Sequence, residues 1–363
     1  MFKLPIDINV KFSSECWTFY KACIINTYKQ GKEWLASHID IFLDKNNNAH
    51  FGDGESLYPL QYYSEILNIG EIEINDIDSL DIVPYIKSLL KDGFYVILDC
   101  NLNQFFISDS EKDIDIHEML LYGFNDEIKS FYSPMLNNET GKMEEITLPY
   151  TEMIKSFDNI KKHYQWHNNR FYRMYNFYYP LTIIRKKKYV ISRDELAKRC
   201  LCKIDRELKG EKRLVSRINN TKQNNDQYSV YKGLSCLYGI IEIINEIIFN
   251  RIETKAKEFD ITLNLLKLYE FRCNMLSTIE TLCKITKEKY TELDYVKENY
   301  SKLVANIKKA YMMSFKWEKK KDFNILKNIK DILNQNILEE EEMYRQVFSI
   351  MIRWYNDKYV IKR

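Results

Sequence analysis

Apolar and polar positions change rhythm about halfway along the chain. Up to about residue 185 the apolar runs are short and closely punctuated. All six prolines lie at or before Pro180, and seven of the ten glycines at or before Gly141. Such spacing predicts short strands and helices joined by tight turns. Farther on, breakers are nearly absent and apolar residues recur at helical spacing over long stretches. This shift places a boundary near 180–195. It divides the 363 residues into a domain at 1–185 and a helical domain at 186–363, each long enough for its own core.

In the first half, Cys16 to Tyr28 reads as a helix, capped by Ser13 or Ser14 and followed by Gly31. Ile39 to Leu43 reads as a strand. Ile82 to Lys91 reads as a helix with Ser79 or Asp81 at its cap, Pro84 in its first turn and Gly93 past its end. Three strands follow: Gly93 to Asp99, His117 to Phe124 closed by the turn pair Asn125-Asp126, and Lys129 to Tyr132 ended by Pro134. Short connections make them an antiparallel meander. Leu148 to Glu152 opens another helix. In the second half Arg193 to Leu208 is helical, and the Asn- and Lys-rich stretch 210–228 reads as a polar, mobile loop. Long helices are expected over roughly 230–257, 261–288, 290–317 and 322–359, forming a bundle. Tyr231 to Ile248, apolar almost all round, is the central buried helix. The fold class is therefore α+β, followed by an all-α region.

Composition narrows the function classes. A hydrophobic fraction of 45% with 14% aromatics belongs to a chain that folds. A net charge of +2 and no recognition motif speak against nucleic acid as a partner. No apolar run reaches about 18 residues, so no membrane span is expected. The first residues show no basic region leading into an apolar core, so a cytoplasmic protein without a signal peptide is expected. The eight cysteines suit that compartment as mostly buried thiols. Cys200-x-Cys202 has no second pair at zinc-finger spacing, and His163 and His167 lack the glutamate of H-E-x-x-H, so neither a metal nor a bound cofactor is expected. The runs Lys186–Lys188, Lys319–Lys321 and Glu339–Glu342 read as solvated faces.

One constellation carries chemistry. In Ser13-Ser14-Glu15-Cys16-Trp17, Cys16 falls in the first turn of its helix, where the positive helix end and a nearby imidazolium lower a thiol's pKa. Cys23, two turns on, cannot reach that end and reads as core. His117 heads a strand that, paired antiparallel with Gly93–Asp99, sets Asp99 opposite or nearly opposite the imidazole. A carboxylate there fixes the tautomer and stabilises imidazolium. Asp113 and Asp115 are rivals in a polar loop, and Asp126 is a turn residue. The Cys16 amide is the natural oxyanion donor. Gln104 and Asn101, with Asn9 and Asn103 behind them, are the side-chain candidates. Cys16, His117 and a carboxylate form a nucleophile, its proton partner and an orienting group.

These residues resemble the papain-like superfamily, and within it the butirosin biosynthesis protein H N-terminal type, related to the bacteriocin-leader-processing cysteine peptidases. The resemblance rests on Glu15-Cys16-Trp17, on Gly93 to Asp99, on the H-x3-L-Y-G-x-N-D stretch from His117 to Asp126, and on Lys129–Tyr132, Gly141-Lys142 and Leu148–Met153 in family order. It covers about residues 1–160. It implies a papain-like cysteine-protease fold, an N-terminal helix packed on an antiparallel sheet. It also implies Cys16 as acyl-accepting nucleophile and His117 as general base and acid. The leader peptidases carry Asp or Asn on the strand after the His strand. Here Tyr132-Ser133-Pro134 stands in that place, which shifts the third role to Asp99 and weakens a peptidase assignment.

Members of this group in natural-product pathways, amide-forming enzymes of polythioamide biosynthesis among them, are acyltransferases. They take an acyl group from the phosphopantetheine thioester of a carrier protein and pass it to an amine. The expectation is therefore amide formation through acyl-Cys16, with an acidic acyl or peptidyl carrier protein as partner, docked on Arg185–Lys188 or Lys319–Lys321. Hydrolysis by a cysteine peptidase or amidase uses the same three residues. A non-catalytic scaffold with a degenerate site is the third alternative.

Overall fold

The computed structural model describes residues 1–43, 48–52, 63–72, 81–105, 115–137, 142–166, 181–210, 212–216, 227–250, 260–286 and 289–359. Its elements in chain order are β1 (Phe2–Lys3), α1 (Cys16–Ile25), α2 (Gly31–His38), β2 (Asp40–Leu43), β3 (Ala49–Gly52), β4 (Leu67–Ile72), α3 (Ile82–Lys91), β5 (Tyr95–Asn101), β6 (Ile116–Leu121), β7 (Gly123–Asn125), β8 (Ser130–Asn137), β9 (Lys142–Pro149), α4 (Tyr150–Trp166), β10 (Leu181–Lys186), α5 (Arg193–Lys209), β11 (Lys212–Ser216), β12 (Gln227–Lys232), α6 (Ser235–Asn250), α7 (Ile261–Thr286), α8 (Glu292–Lys320) and α9 (Phe323–Tyr359). The chain is mixed α and β, with antiparallel sheets and a helical C-terminal region. It forms two compact units. One is Met1–Tyr28 with Leu60–Tyr189, the other Lys29–Pro59 with Val190–Arg363.

The first unit holds two antiparallel sheets, of order β1-β7-β8-β9 and β4-β10-β5-β6. Ile86 and Leu90 of α3 and Met153 and Phe157 of α4 close a core over Val96, Leu98, Met119, Leu121 and Phe131. Helix α3 has the bounds the sequence predicts, and Asp81 is its N-cap residue; Ser79 lies outside the described residues. Its exit explains a shift in the next strand. Gly93 takes φ +84°, and the Gly93 and Phe94 amides donate to the Leu90 and Leu89 carbonyls. Both residues are thus used in ending the helix. Strand β5 starts at Tyr95 and runs to Asn101 rather than from Gly93 to Asp99.

The single strand expected over His117 to Phe124 is two strands in two sheets. Strand β6 pairs with β5, while β7 pairs with β1 and β8. At the junction, a Cβ on Gly123 would sit 2.6 Å from the Phe2 carbonyl oxygen, so only glycine lets β1 approach. Strand β8 does not stop at Pro134. It continues to Asn137 and pairs throughout with β9, a strand the turn-rich sequence hides. Strand β7 reaches only Tyr132, so Pro134 lies where β8 has β9 alone beside it among the described residues, and a missing amide is tolerated there.

The second unit carries the sheet β11-β12-β2-β3 and the helices α2 and α5 to α9. Helices are present in all four expected places after residue 230; the ends expected at 257 and 288 lie outside the described residues. Tyr231 belongs to β12, so the apolar helix begins only at Ser235. Ser192 caps α5 by accepting the Glu195 amide at 3.2 Å. The stretch expected as a polar loop, 210–228, includes β11 and the start of β12, which pair antiparallel; residues 217–226 lie outside the described residues.

The expected division at 185/186 differs from the units in two respects: the boundary falls at 189/190, and the segment Lys29–Pro59 belongs with the helices. Polar side chains fasten it there. Lys203 Nζ donates to the Ala36 carbonyl at 2.9 Å, Asn274 Nδ2 to Leu35 at 3.1 Å, and Arg206 Nε to the Asp40 carboxylate at 2.8 Å. Breaker spacing carries no trace of such ties.

The bundle is centred on a charge. Arg272 of α7 is fully buried, with its Nε 2.8 Å from Glu340 of α9 and its Nη1 3.3 Å from Glu207 of α5. The hydroxyls of Tyr300 and Tyr344 donate to the same Glu340 oxygen at 2.6 and 2.5 Å. Burial pushes Glu207 up to about 8 against the pull of Arg272. Removing one member of a buried pair strands the other. Arg272→Ala is expected to destabilise the fold by about 3–5 kcal/mol, measured as a lowered urea midpoint with an unchanged slope.

Candidate active site

Helix α1 begins at Cys16, with extended Glu15 as its N-cap residue in place of the expected serines (φ −143°, ψ 103°). The first helical bond runs from the Phe19 amide to the Glu15 carbonyl at 2.9 Å, so the amides of Cys16, Trp17 and Thr18 precede the ladder. Glu15 Oε2 accepts the Thr18 hydroxyl at 2.7 Å. Cys16 is partly buried and Cys23 fully buried, its thiol pushed above the ordinary range by burial.

Across from the helix start stands His117, whose Nε2 lies 3.0 Å from Cys16 Sγ. The two residues, 101 positions apart in the chain, are brought into hydrogen-bond contact. Asp99 is not the residue opposite this imidazole, and that expectation is corrected. In the β5–β6 register Cys100 faces His117 and Asp99 faces Glu118. Successive strand residues alternate faces, so Asp99 projects to the other side. The carboxylate that acts on His117 is Asp115, half-buried and two residues before it. Its backbone is fixed: the Asp115 amide donates to Asn101 Oδ1 at 3.0 Å, and the Leu102 amide to the Asp115 carbonyl at 2.8 Å. Asp113 lies outside the described residues.

The expected side-chain oxyanion donors are placed otherwise. Asn101 is fully buried, and its Oδ1 holds the amides of Asn103 and Asp115. It braces the strand end, on the sheet face opposite Cys100 and His117. Gln104 ends a short 3-10 turn, Leu102–Gln104, and the structure joins it to neither Cys16 nor His117. Asn9 is tied to Asp7. The Cys16 amide stays where the helix start sets it.

The electrostatics reverse one expectation. Burial, then the charges of Glu118 and Glu15, push the Cys16 thiol up to about 11; its own amide and the Tyr20 hydroxyl pull it down. Burial lowers His117, with Asp115 opposing. The resting pair at neutral pH is a thiol and a neutral imidazole, not thiolate and imidazolium. Burial raises Glu118 to about 7, with Lys21 lowering it and Glu15 raising it further. Lys21 is itself fully buried. Its Nζ lies 3.1 Å from the Trp17 ring centroid and 3.4 Å from the Trp17 carbonyl oxygen. Burial drives this lysine well down, opposed by Glu118, Glu15 and Glu71.

Glu118, Lys21 and Tyr20 were missed in the sequence. The available signals were a lysine inside the otherwise apolar Cys-Trp-Thr-Phe-Tyr-Lys-Ala-Cys helix, and a glutamate heading an apolar strand. Among the described residues no three His, Cys, Asp or Glu side chains gather as a metal site, and no helix is long and apolar enough to cross a membrane. On α5 Cys200 is buried and Cys202 exposed, so they point apart; His167 lies outside the described residues. Comparison of the sequence with protein-family models and with curated proteins gives no match.

Two substitutions probe these charges. Glu118→Gln removes a negative charge from beside the sulfur, so thiolate forms more readily. Cys16 carbamidomethylation at pH 8 should rise about three- to tenfold. The gap should close below about pH 7, where Glu118 is itself protonated. Asp115→Asn should lower the imidazole pKa of His117 in an NMR titration, whereas Asp99→Asn should leave it in place.

Proposed function

We propose that the protein is a cysteine-dependent acyltransferase of papain-like type. It would move an acyl group from the phosphopantetheine thioester of an acidic carrier protein, through acyl-Cys16, to an amine. The observation that carries this reading is the 3.0 Å contact between Cys16 Sγ and His117 Nε2 at the start of a helix.

In this mechanism the thiol gives its proton to His117 Nε2 as sulfur attacks the thioester carbonyl. The oxyanion forms beside the Cys16 amide, at the positive end of α1. Asp115 favours the imidazolium produced. As the tetrahedral adduct collapses, the pantetheine sulfur leaves and takes the proton from His117. An amine then attacks acyl-Cys16, His117 removes its proton, and the same proton returns to the departing Cys16 sulfur. The net change is thioester plus amine to amide plus thiol, with no nucleotide consumed.

For the carrier, the cluster at 185–188 is partly engaged within its own unit: Lys186 donates to Thr27 and Lys187 to the Ser64 carbonyl. Lys319 and Lys320 are exposed at the end of α8.

Intact-protein mass spectrometry tests the reading. Incubation with an acyl-pantetheine thioester should add one acyl mass to the wild type and to Cys23→Ala, and none to Cys16→Ala. His117→Ala should slow the addition by about 10²–10⁴-fold. Added amine should then yield amide; free acid as the sole product whatever the amine would make the protein a hydrolase.

A further inference from the structure

The mechanism above leaves a buried hydroxyl unused. Tyr20 lies one turn beyond Cys16 on α1, and side chains four apart share a helix face. It is only 2% exposed, so water is no alternative partner. Its O–H donates to the main-chain carbonyl of Glu118 at 2.9 Å, the residue after His117. The helix is therefore fixed to β6 at two neighbouring points, Cys16 to His117 and Tyr20 to Glu118. The same hydroxyl, on the helix face that carries Cys16, pulls the thiol pKa down and so favours the thiolate.

A phenol has one proton to give. In the resting pair the thiol is neutral and a weak acceptor, and a backbone carbonyl is the better partner. Once the sulfur is charged the preference reverses, because hydrogen bonds to ionised acceptors are roughly twice as strong. We propose that Tyr20 is a positioning residue whose O–H turns from the Glu118 carbonyl to the Cys16 sulfur as the thiol proton passes to His117 Nε2, and turns back once the sulfur is acylated. No covalent bond other than S–H is broken in this step, and the proton is carried on His117. The inference rests on Cys16 being the reactive thiol of the proposed transfer. It adds a donor for the sulfur that neither the helix start nor the imidazole supplies.

The charged groups around the sulfur are Glu15 and Lys21 of α1, His117 and Glu118 of β6, and Asp115 just before it. Tyr20→Phe leaves all of them in place and removes only the O–H. The test is the pH dependence of carbamidomethylation at the Cys16 peptide in the full chain, read by mass spectrometry with Cys16→Ala as the zero. The Tyr20→Phe profile should move to higher pH, with a rate about three- to tenfold lower on its rising limb. A hydroxyl that only braces the helix would change the melting temperature and leave the profile on that of the wild type, and this result overturns the proposal. Should Tyr20→Phe not fold, 3-fluorotyrosine placed at position 20 keeps the shape and makes a stronger donor. The profile should then move to lower pH, and a fixed or upward-moving profile overturns the proposal. Alkylation needs no acyl donor. A shifted profile without any acyl-enzyme would sink the transferase reading and keep the role of Tyr20; an acyl-enzyme with an unmoved profile would do the reverse.

Discussion

The site depends on the register between β5 and β6. A strand repeats every two residues, so a slip of one would exchange the faces of His117 and Glu118. The end of this pair is locked by Asn101, whose side-chain oxygen holds two backbone amides, at Asn103 and Asp115, while its own amide donates to Ser156 of α4 at 2.6 Å. His117 follows Asp115 by two positions, so the lock that sets the strand also sets the imaging of a carboxylate on the imidazole.

The same register governs how the buried charges are shared. Glu118 acts electrostatically on Lys21 and on the Cys16 sulfur, and burial raises its carboxyl to about 7. Lys21 is held against the Trp17 ring, immediately beside the nucleophile in sequence. Neither charge is placed to activate the thiol at rest. Glu118 opposes the thiolate, and Lys21 offsets Glu118. In the helical unit another buried set, Arg272 with Glu207 and Glu340, follows a simpler rule: one cation between two carboxylates, with two tyrosine hydroxyls completing one of them. That set ties four helices together.

Much of the architecture is legible in the sequence because it follows from local rules. Long helices show their period, Gly93 and Pro84 mark the bounds of α3, and Cys16 at a helix start with His117 on a later strand is readable from spacing. What the sequence hides is non-local. The place of Lys29–Pro59 is decided by Lys203, Asn274 and Arg206, polar residues that look solvent-facing until the fold buries them. The split of β6 from β7 turns on a contact between Gly123 and Phe2, 121 residues apart. The choice of Asp115 over Asp99 needed the β5–β6 register. Thiol ionisation was misjudged because a helix end was weighed without the desolvation and the two carboxylates that outweigh it.

A thiol held near 11 has a bearing on survival in the cell. Peroxide and stray disulfides attack the thiolate, the form that burial and the two carboxylates disfavour at this sulfur. Ordinary thiols, titrating near 8.5, present a few per cent. The position that meets the substrate is thereby less open to oxidants than an ordinary thiol would be there. Its reactivity is released only when a substrate carbonyl arrives to accept the electron pair.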